Sequence, residues 1–385
     1  MAGIYIHIPF CKQSCSYCDF HFSTSLKHKK DLIQALLKEI EQRKHVLTGK
    51  INTIYFGGGT PSILEEDDLL VLVDALYKNY DIAPDLEFTL ECNPDDLTKI
   101  KVKELQNSGV NRLSIGVQSF NNEELKFFNR AHNSSEAESS IKRSQDVGFD
   151  NITIDLIYGS SILTEKGWLD NLQKVNEFNV PHLSAYGLTV EPKTKLAHQI
   201  ESGQLPQLND DNMITQFKTL IEEAKAFGMT QYEISNFGKE GFYSKHNSNY
   251  WKGEEYIGFG PSAHSYLKET SSEKDLISTS KRVWNVANNI KYIKALANKE
   301  KYSEEEIIDE KTAFNEYVLT RLRTTWGMDT IYLTTNFSEE INTHFNREIK
   351  QYLNSSYLEI ENNKITLTQE GIFIADKITS DLFLV

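Results

Sequence analysis

The first two thirds of the chain alternate between short apolar runs and longer segments of helical periodicity, and this alternation restricts the fold more than any other feature. Candidate strands run from Ile4 to Ile8, Thr53 to Phe56, Leu86 to Glu91, Arg112 to Val117, Ile152 to Ile157, His182 to Leu188 and Gln231 to Ile234, rich in the β-branched and apolar residues of buried parallel strands. Between them Leu32, Ile33, Leu36, Leu37 and Ile40, and later Leu69, Leu70, Val73 and Leu76, recur at helical spacing. One strand per helix implies an α/β fold with a parallel sheet, closed or nearly closed into a barrel. Loops at the C-terminal ends of such strands carry the chemistry.

Directly after the first strand stand Cys11, Cys15 and Cys18, spaced C-x3-C-x2-C. Such close spacing lets one loop aim three sulfurs at one metal centre. Iron-sulfur clusters usually take four thiolates, so a [4Fe-4S] cluster on these three keeps one iron open to an exogenous ligand. A zinc site completed by His21 is a competing reading of the same spacing. Three inert buried thiols fit poorly with the polar residues between them. Cys92 follows Glu91 on a candidate strand, so the two side chains face opposite sides and Cys92 reads as packing.

Other unusual residues fall at the same strand ends. Gly57-Gly58-Gly59-Thr60-Pro61 follows the second strand, a backbone able to approach a ligand closely. A phosphate cradle or a plain tight turn are its alternatives, although the run lacks the Gly-Lys-Ser/Thr ending and the G-x-G-x-x-G spacing. Glu91, Asn93 and Pro94 follow the third strand, and Gln118 and Ser119 the fourth. Asp155 sits inside an apolar strand, where an unpaired carboxylate is costly, so it is either a ligand contact or a structural hydrogen-bond acceptor. Arg130 can meet a ligand carboxylate or serve as an ordinary surface arginine.

At 385 residues, with 39% hydrophobic and 25% charged residues, the chain is long enough for a barrel-sized domain and a smaller one. A formal net charge of −14 argues against broad binding to nucleic acid or an anionic membrane. There is no basic, apolar leader and no apolar run of membrane length, so a cytoplasmic protein is expected. Four cysteines with three in one loop make no disulfide framework, and a reducing compartment suits a thiolate-ligated cluster.

Together these residues resemble the radical S-adenosylmethionine (SAM) superfamily, through C-x3-C-x2-C, Tyr17 before the last cysteine and the glycine run after the second strand. Tyr5-Ile6-His7-Ile8-Pro9-Phe10-Cys11, Phe56-Gly57-Gly58-Gly59-Thr60-Pro61, Gly116-Val117-Gln118-Ser119-Phe120 and Asp155-Leu156-Ile157-Tyr158-Gly159 are similar to the oxygen-independent coproporphyrinogen III oxidases and their HemW-type relatives. The resemblance implies a partial TIM-like barrel of about six strand-helix units in which Cys11, Cys15 and Cys18 hold the cluster. It places Tyr5, Gly58, Gly59, Thr60, Glu91, Gln118, Arg130, Asp155 and Gly187 at SAM. The oxidases carry an N-terminal extension and a further cysteine two places after the third; here the chain starts at the strand and that position is Phe20. Both features resemble the HemW-type haem chaperones, as does His246-Asn247-Ser248-Asn249-Tyr250-Trp251, which matches their H-N-x-x-Y-W motif.

The expected function is therefore haem binding and transfer to acceptor proteins, with oxidative decarboxylation of coproporphyrinogen III as the alternative. His246, Tyr250, Trp251 and His264 are the haem candidates, imidazole being a common axial ligand to haem iron. On chemistry alone a histidine and two aromatics in a loop more often make a packed corner than a cofactor site, and only the family resemblance favours the haem site. Peripheral contact with membrane haemoproteins is left open. One departure is Gly159-Ser160-Ser161, where the family continues Gly-Leu-Pro or Gly-Ile-Pro.

Residues 1–266 are expected to form the core with the cluster, SAM and haem sites, and 282–385 a smaller domain, with Glu269 to Lys274 reading as linker. In the smaller domain, helical patterns at Ala313 to Leu322 and Phe337 to Leu353 precede a hairpin about Asn362-Asn363 and a last helix from Gln369. This order resembles a winged helix. Without a basic stripe it reads as a cap or docking surface rather than a nucleic-acid binder.

Overall fold

Six parallel strands lie side by side in chain order: β1 (Ala2–Ile8), β2 (Ile51–Gly58), β3 (Ile82–Cys92), β4 (Arg112–Gln118), β5 (Ile152–Tyr158) and β6 (His182–Gly187). The structure, a computed structural model, describes residues 2–268, 280–353 and 355–385. Helices α1 (Lys29–Gln42), α2 (Glu66–Asn79), α3 (Lys99–Asn107), α4 (Asn122–Phe127), α5 (Ser134–Val147) and α6 (Glu165–Glu177) connect them. Local signals set the helix ends. At α5, for example, Asn133 and Glu136 form a capping box and Gly148, at φ +107°, ends the helix.

Strand alternation divides the sheet chemically. Ile4, Ile6 and Ile8 of β1, Ile54 and Phe56 of β2 and Phe88 and Leu90 of β3 are fully buried in one core with Leu32, Leu36, Leu72 and Leu76 of the helices. Each such side chain contributes about 1.5–3 kcal/mol relative to exposure. The intervening residues are polar or aromatic and pair with one another. Arg112 Nη2 donates to Thr153 Oγ1 at 2.6 Å, Thr153 Oγ1 lies 3.1 Å from His182 Nδ1, and His182 Nε2 lies 2.8 Å from Tyr232 Oη. This pairing makes so polar an interior tolerable.

The run Gln231–Ile234 is not a further parallel strand. After α7 (Lys195–Glu201) and α8 (Asp210–Ala226), β7 (Thr230–Glu233) and β8 (Asn236–Gly238) form an antiparallel hairpin, and β8 pairs antiparallel with β6. Only Ile234 and Ser235 separate the two strands, too few for a crossover, so the chain reverses. Next comes α9 (Lys245–Trp251). On the other side β9 (Glu255–Phe259) pairs parallel with β1, followed by antiparallel β10 (His264–Lys268), β11 (Ser280–Asn285) and, beyond α10 (Asn289–Asn298), β12 (Ser303–Ile308). Among the described residues the result is an open mixed sheet of 12 strands, a partial rather than a closed barrel.

The expected Glu269 to Lys274 linker lies outside the described residues. Strands from both sides of the expected 266/282 division belong to the one sheet. A second core gathers Phe314, Val318, Leu322, Phe345 and Ile378. Its elements are α11 (Glu310–Leu322), β13 (Met328–Asp329), α12 (Thr330–Asn336), α13 (Glu339–Glu348), α14 (Lys350–Leu353), β14 (Leu358–Glu361), β15 (Lys364–Leu367), α15 (Gln369–Ile372) and α16 (Ala375–Leu382). Asn362 and Asn363, at φ +50° and +63°, make the tight hairpin turn of a winged-helix-like arrangement.

A cysteine loop, a glycine loop and an adjoining cavity

From β1 the chain passes through Pro9 and Phe10 into the loop of Cys11, Cys15 and Cys18, three half-buried free thiols. Neighbouring segments clamp this loop. Cys11 N–H donates to Ser23 O at 3.1 Å and Ser16 N–H to Phe128 O at 3.0 Å. Gln13 Nε2 donates to Asn129 O at 2.9 Å, and Asn129 Nδ2 donates back to Ser14 O at 2.6 Å. Lys12 Nζ pairs with Asp95 Oδ2 at 2.8 Å. Burial raises the Cys11 thiol and pushes Cys18 up to about 11, a penalty that metal coordination reverses.

Among the described residues no group of three or more His, Cys, Asp or Glu side chains converges on a single ion. His21 is turned away from the thiols, its Nε2 2.7 Å from Asn289 Oδ1 and its ring stacked on His7. In a cluster each thiolate takes its own iron, so three sulfurs need not meet at one point. The thiols fit a cluster better than a tetrahedral zinc site.

The glycine loop docks directly against the cysteine loop. Gly59 N–H donates to Ile8 O at 2.9 Å and Thr60 N–H to Phe10 O at 2.7 Å; a Cβ on Gly59 would stand 2.7 Å from Phe10 O. Gly58, at φ +105°, donates its N–H to Glu91 Oε2 at 3.1 Å, while Tyr55 Oη donates to Glu91 Oε1 at 2.8 Å. Burial pushes Glu91 up to about 7 against these donors. Asp155 accepts from Ser114 Oγ at 3.1 Å and is pushed up to about 6, again by burial.

Arg130 ties the cysteine loop to the end of β3 and to β4. Its Nη1 lies 3.2 Å from Cys15 Sγ, its Nη2 donates to Asn93 Oδ1 and Gly116 O at 2.7 Å each, and its Nε is buried without a partner. Gln118, at φ +65°, folds back so that a Cβ on Gly116 would lie 2.9 Å from Gln118 Nε2. Gly187 ends β6 beneath Met213 and Tyr158.

Tyr5, Gly58 and Glu91 also border a cavity of about 1080 Å³ that runs past Phe20, His7, His21, Tyr250, Trp251 and His264 to α11 of the C-terminal region. His246 does not border it. That ring is 1% exposed, with Nδ1 2.8 Å from Thr53 Oγ1, Nε2 2.8 Å from Tyr250 Oη, and a stacked contact of 5.0 Å with Tyr55. Glu87 accepts the Lys245 and His246 N–H groups at 3.0 and 2.9 Å, fixing the start of α9. In this placement neither His246 nitrogen is available to a ligand, and burial pushes its pKa down to about 3.

His7 is similarly engaged, with Nδ1 3.0 Å from Tyr5 Oη and Nε2 3.0 Å from His21 O. His264 differs: it is exposed, stacked 6.4 Å from Trp284, and neither ring nitrogen has a hydrogen-bond partner among the described residues.

Two supports escaped the sequence reading. Glu39, fully buried, accepts from Gly260 N–H at 2.9 Å, Asn285 Nδ2 at 2.8 Å, Arg43 Nη1 at 3.0 Å and Tyr292 Oη, holding the turn that leads to His264. An acid three residues after Leu36 on an apolar helix face was the available signal. In the departure at Gly159-Ser160-Ser161, Ser160 Oγ donates to the buried Glu124 at 2.8 Å, so a polar bond occupies that corner.

The parallel strands and the thiol loop define a radical SAM core: the Radical SAM superfamily model matches residues 5–187, and the HemN C-terminal domain model matches 308–374. "Heme chaperone HemW" of Bacillus subtilis (strain 168) is 32% identical over 383 residues, 98% of each chain. The protein of the same name from Escherichia coli (strain K12) is 37% identical over 284 residues, 72% of this chain and 73% of that one. The chain belongs to the HemW heme chaperone family. The solved coproporphyrinogen III oxidase HemN of Escherichia coli, a radical SAM enzyme, shares the fold, with a TM-score of 0.83 at 20% identity over 99% of this chain and 89% of that one. The family implies a [4Fe-4S] cluster and SAM. Among the described residues no helix is long and apolar enough to cross a membrane.

Proposed function

We propose that this protein binds haem in the cavity beside its radical SAM site and passes it to acceptor proteins in the cytoplasm. The observation that carries the reading is the cavity itself. Its volume of about 1080 Å³ is at the upper end for small-molecule sites, its walls include Phe20, Tyr250, Trp251, Tyr256 and Tyr266, and it holds one exposed imidazole, His264, with both nitrogens unengaged. His264 is the proposed axial ligand, and His246 a structural residue that sets Tyr250 in the wall.

Cys11, Cys15 and Cys18 would hold the [4Fe-4S] cluster. Tyr5, Gly58, Gly59, Thr60, Glu91, Gln118, Arg130, Asp155 and Gly187 would surround SAM, with Arg130 suited to its carboxylate and Asp155 to ribose hydroxyls. When bound, cluster and SAM supply one-electron chemistry.

The test is an anaerobic haem titration of cluster-reconstituted protein followed by the Soret band, with His264→Ala alongside, then transfer from the loaded protein to an apo-haemoprotein. Saturable one-to-one binding weakened by the substitution, and haem movement to the acceptor, are expected. Lack of saturable binding together with turnover of coproporphyrinogen III would replace the reading with the oxidase alternative.

A further inference from the structure

The far wall of the cavity carries an unusual pair of cations. Arg321, near the end of α11, lies with its guanidinium 5.5 Å from the Tyr317 ring centre, and its Nη2 donates to Lys252 O at 3.1 Å. Lys252, just after α9, sets its ammonium 4.6 Å from the Trp326 ring centre. Both line the cavity, and neither has a carboxylate partner among the described residues.

Lys268 also lines the cavity with no carboxylate on its ammonium among the described residues, and Glu254, which is engaged, lines it two residues from Lys252; the remaining charges are paired or capped. Arg282 pairs with Glu306 at 3.1 Å and with Glu316. Asp309 accepts from Thr312 N–H at 2.7 Å and Glu310 from Ser338 N–H at 2.6 Å. Ring faces and one carbonyl hold Arg321 and Lys252, and beyond the Arg321 Nη2 bond to Lys252 O their N–H donors have no carboxylate partner among the described residues.

We propose that Arg321 and Lys252 form a carboxylate-binding subsite that takes a propionate side chain of the bound tetrapyrrole. The inference rests on the haem reading above and adds a specificity that reading does not require. An iron ligand and aromatic walls recognise the macrocycle whatever its side chains carry, whereas a cation pair requires free carboxylates. The subsite also joins the two parts of the chain, since Lys252 follows α9 beside the barrel and Arg321 belongs to the C-terminal region.

The experiment compares haem with its dimethyl ester, in which both propionates are neutral, as ligands of the cluster-reconstituted full chain under anaerobic conditions. The proteins are wild type and the double variant Arg321→Met, Lys252→Met, chosen because methionine keeps an apolar stem on Tyr317 and Trp326. Wild type is expected to prefer haem over the ester by about tenfold or more, in line with charge-assisted hydrogen bonds to a carboxylate. The double variant is expected to lose most of that preference while binding the ester as wild type does.

Equal wild-type affinity for the two ligands, or a preference that survives in the double variant, overturns the subsite and leaves the haem reading standing. Loss of ester binding in the double variant also overturns it, because the two residues then act on the fold of the wall rather than on a carboxylate. Failure of wild type to bind either ligand overturns the haem reading and the subsite together.

Discussion

Replacing His246 separates a structural histidine from an iron ligand. Its imidazole joins Thr53 Oγ1 and Tyr250 Oη at 2.8 Å each, and both it and Thr53 are 1% exposed. His246→Ala strands the buried Thr53 hydroxyl and the part-buried Tyr250 hydroxyl, at about 1–3 kcal/mol each, and opens a void beside Tyr55. The two hydroxyls together account for about 2–6 kcal/mol, a large part of the 5–15 kcal/mol that holds a typical domain. An apparent melting temperature lower by roughly 5–10 °C follows for the apo protein. His246→Gln, able to donate and accept, should recover most of that loss and bind haem within about twofold of wild type. Thermal melts and the anaerobic Soret titration read the two effects separately. A His246→Gln protein that melts like wild type but gives no Soret band refutes the reasoning: the imidazole must then leave Thr53 and Tyr250 to reach the iron.

Two further outcomes follow from the burial pattern. Glu91, at about 7 in the fold against about 4.5 unfolded, keeps its proton longer when folded, so its contribution to stability falls as pH rises between those values, by about 3 kcal/mol in all. Apo Glu91→Gln should show a flatter change in urea midpoint from pH 5 to pH 8 than wild type, and an unchanged slope sinks this account. Cys92 is 3% exposed with Sγ 3.5 Å from Leu90 O, facing away from the thiol loop, so Cys92→Ala should retain iron content and the absorption near 400 nm that Cys15→Ala loses. Loss of iron from Cys92→Ala would make it a ligand.

What the sequence could show depended on how local each signal was. The six parallel strands were legible because each apolar run is followed by its own helix, and the thiol and glycine loops because few structures need those residues at that spacing. The sequence does not show the direction of the β7–β8 hairpin because the alternating run Gln231-Tyr232-Glu233-Ile234 suits a strand of either direction, and only the two-residue gap to Asn236 forces a reversal. His246 and His264 are both histidines beside aromatics in the sequence. Only tertiary contacts tell them apart, since Thr53 lies 193 residues from His246 and the chain gives no sign that they meet. Glu39 likewise draws its partners other than Arg43 from residues 260 to 292.

The distribution of unsatisfied groups distinguishes the two ends of the strand interior. At one end Arg112, Thr153, His182 and Tyr232 use one another's donors and acceptors, as buried polar groups in a purely structural core do. Near the thiol loop Arg130 Nε, His132 Nδ1 and Asp95 Oδ1 are buried without hydrogen-bond partners, while Thr89 Oγ1, beside Arg112 in the strand register, and Asp68 Oδ2 and Ser161 Oγ are so as well. Around the adjoining cavity Trp251 Nε1 is buried and unpaired, His264 keeps both nitrogens unengaged, and Arg321 and Lys252 lack carboxylates among the described residues. Each unpaired buried group costs roughly 1–3 kcal/mol, and four of the seven such atoms among the described residues, those of Asp95, Arg130, His132 and Trp251, lie by the thiol loop and the cavity, a concentration that stability alone does not explain. A site built for charged and metal-bearing ligands supplies that reason, because those ligands bring the missing partners.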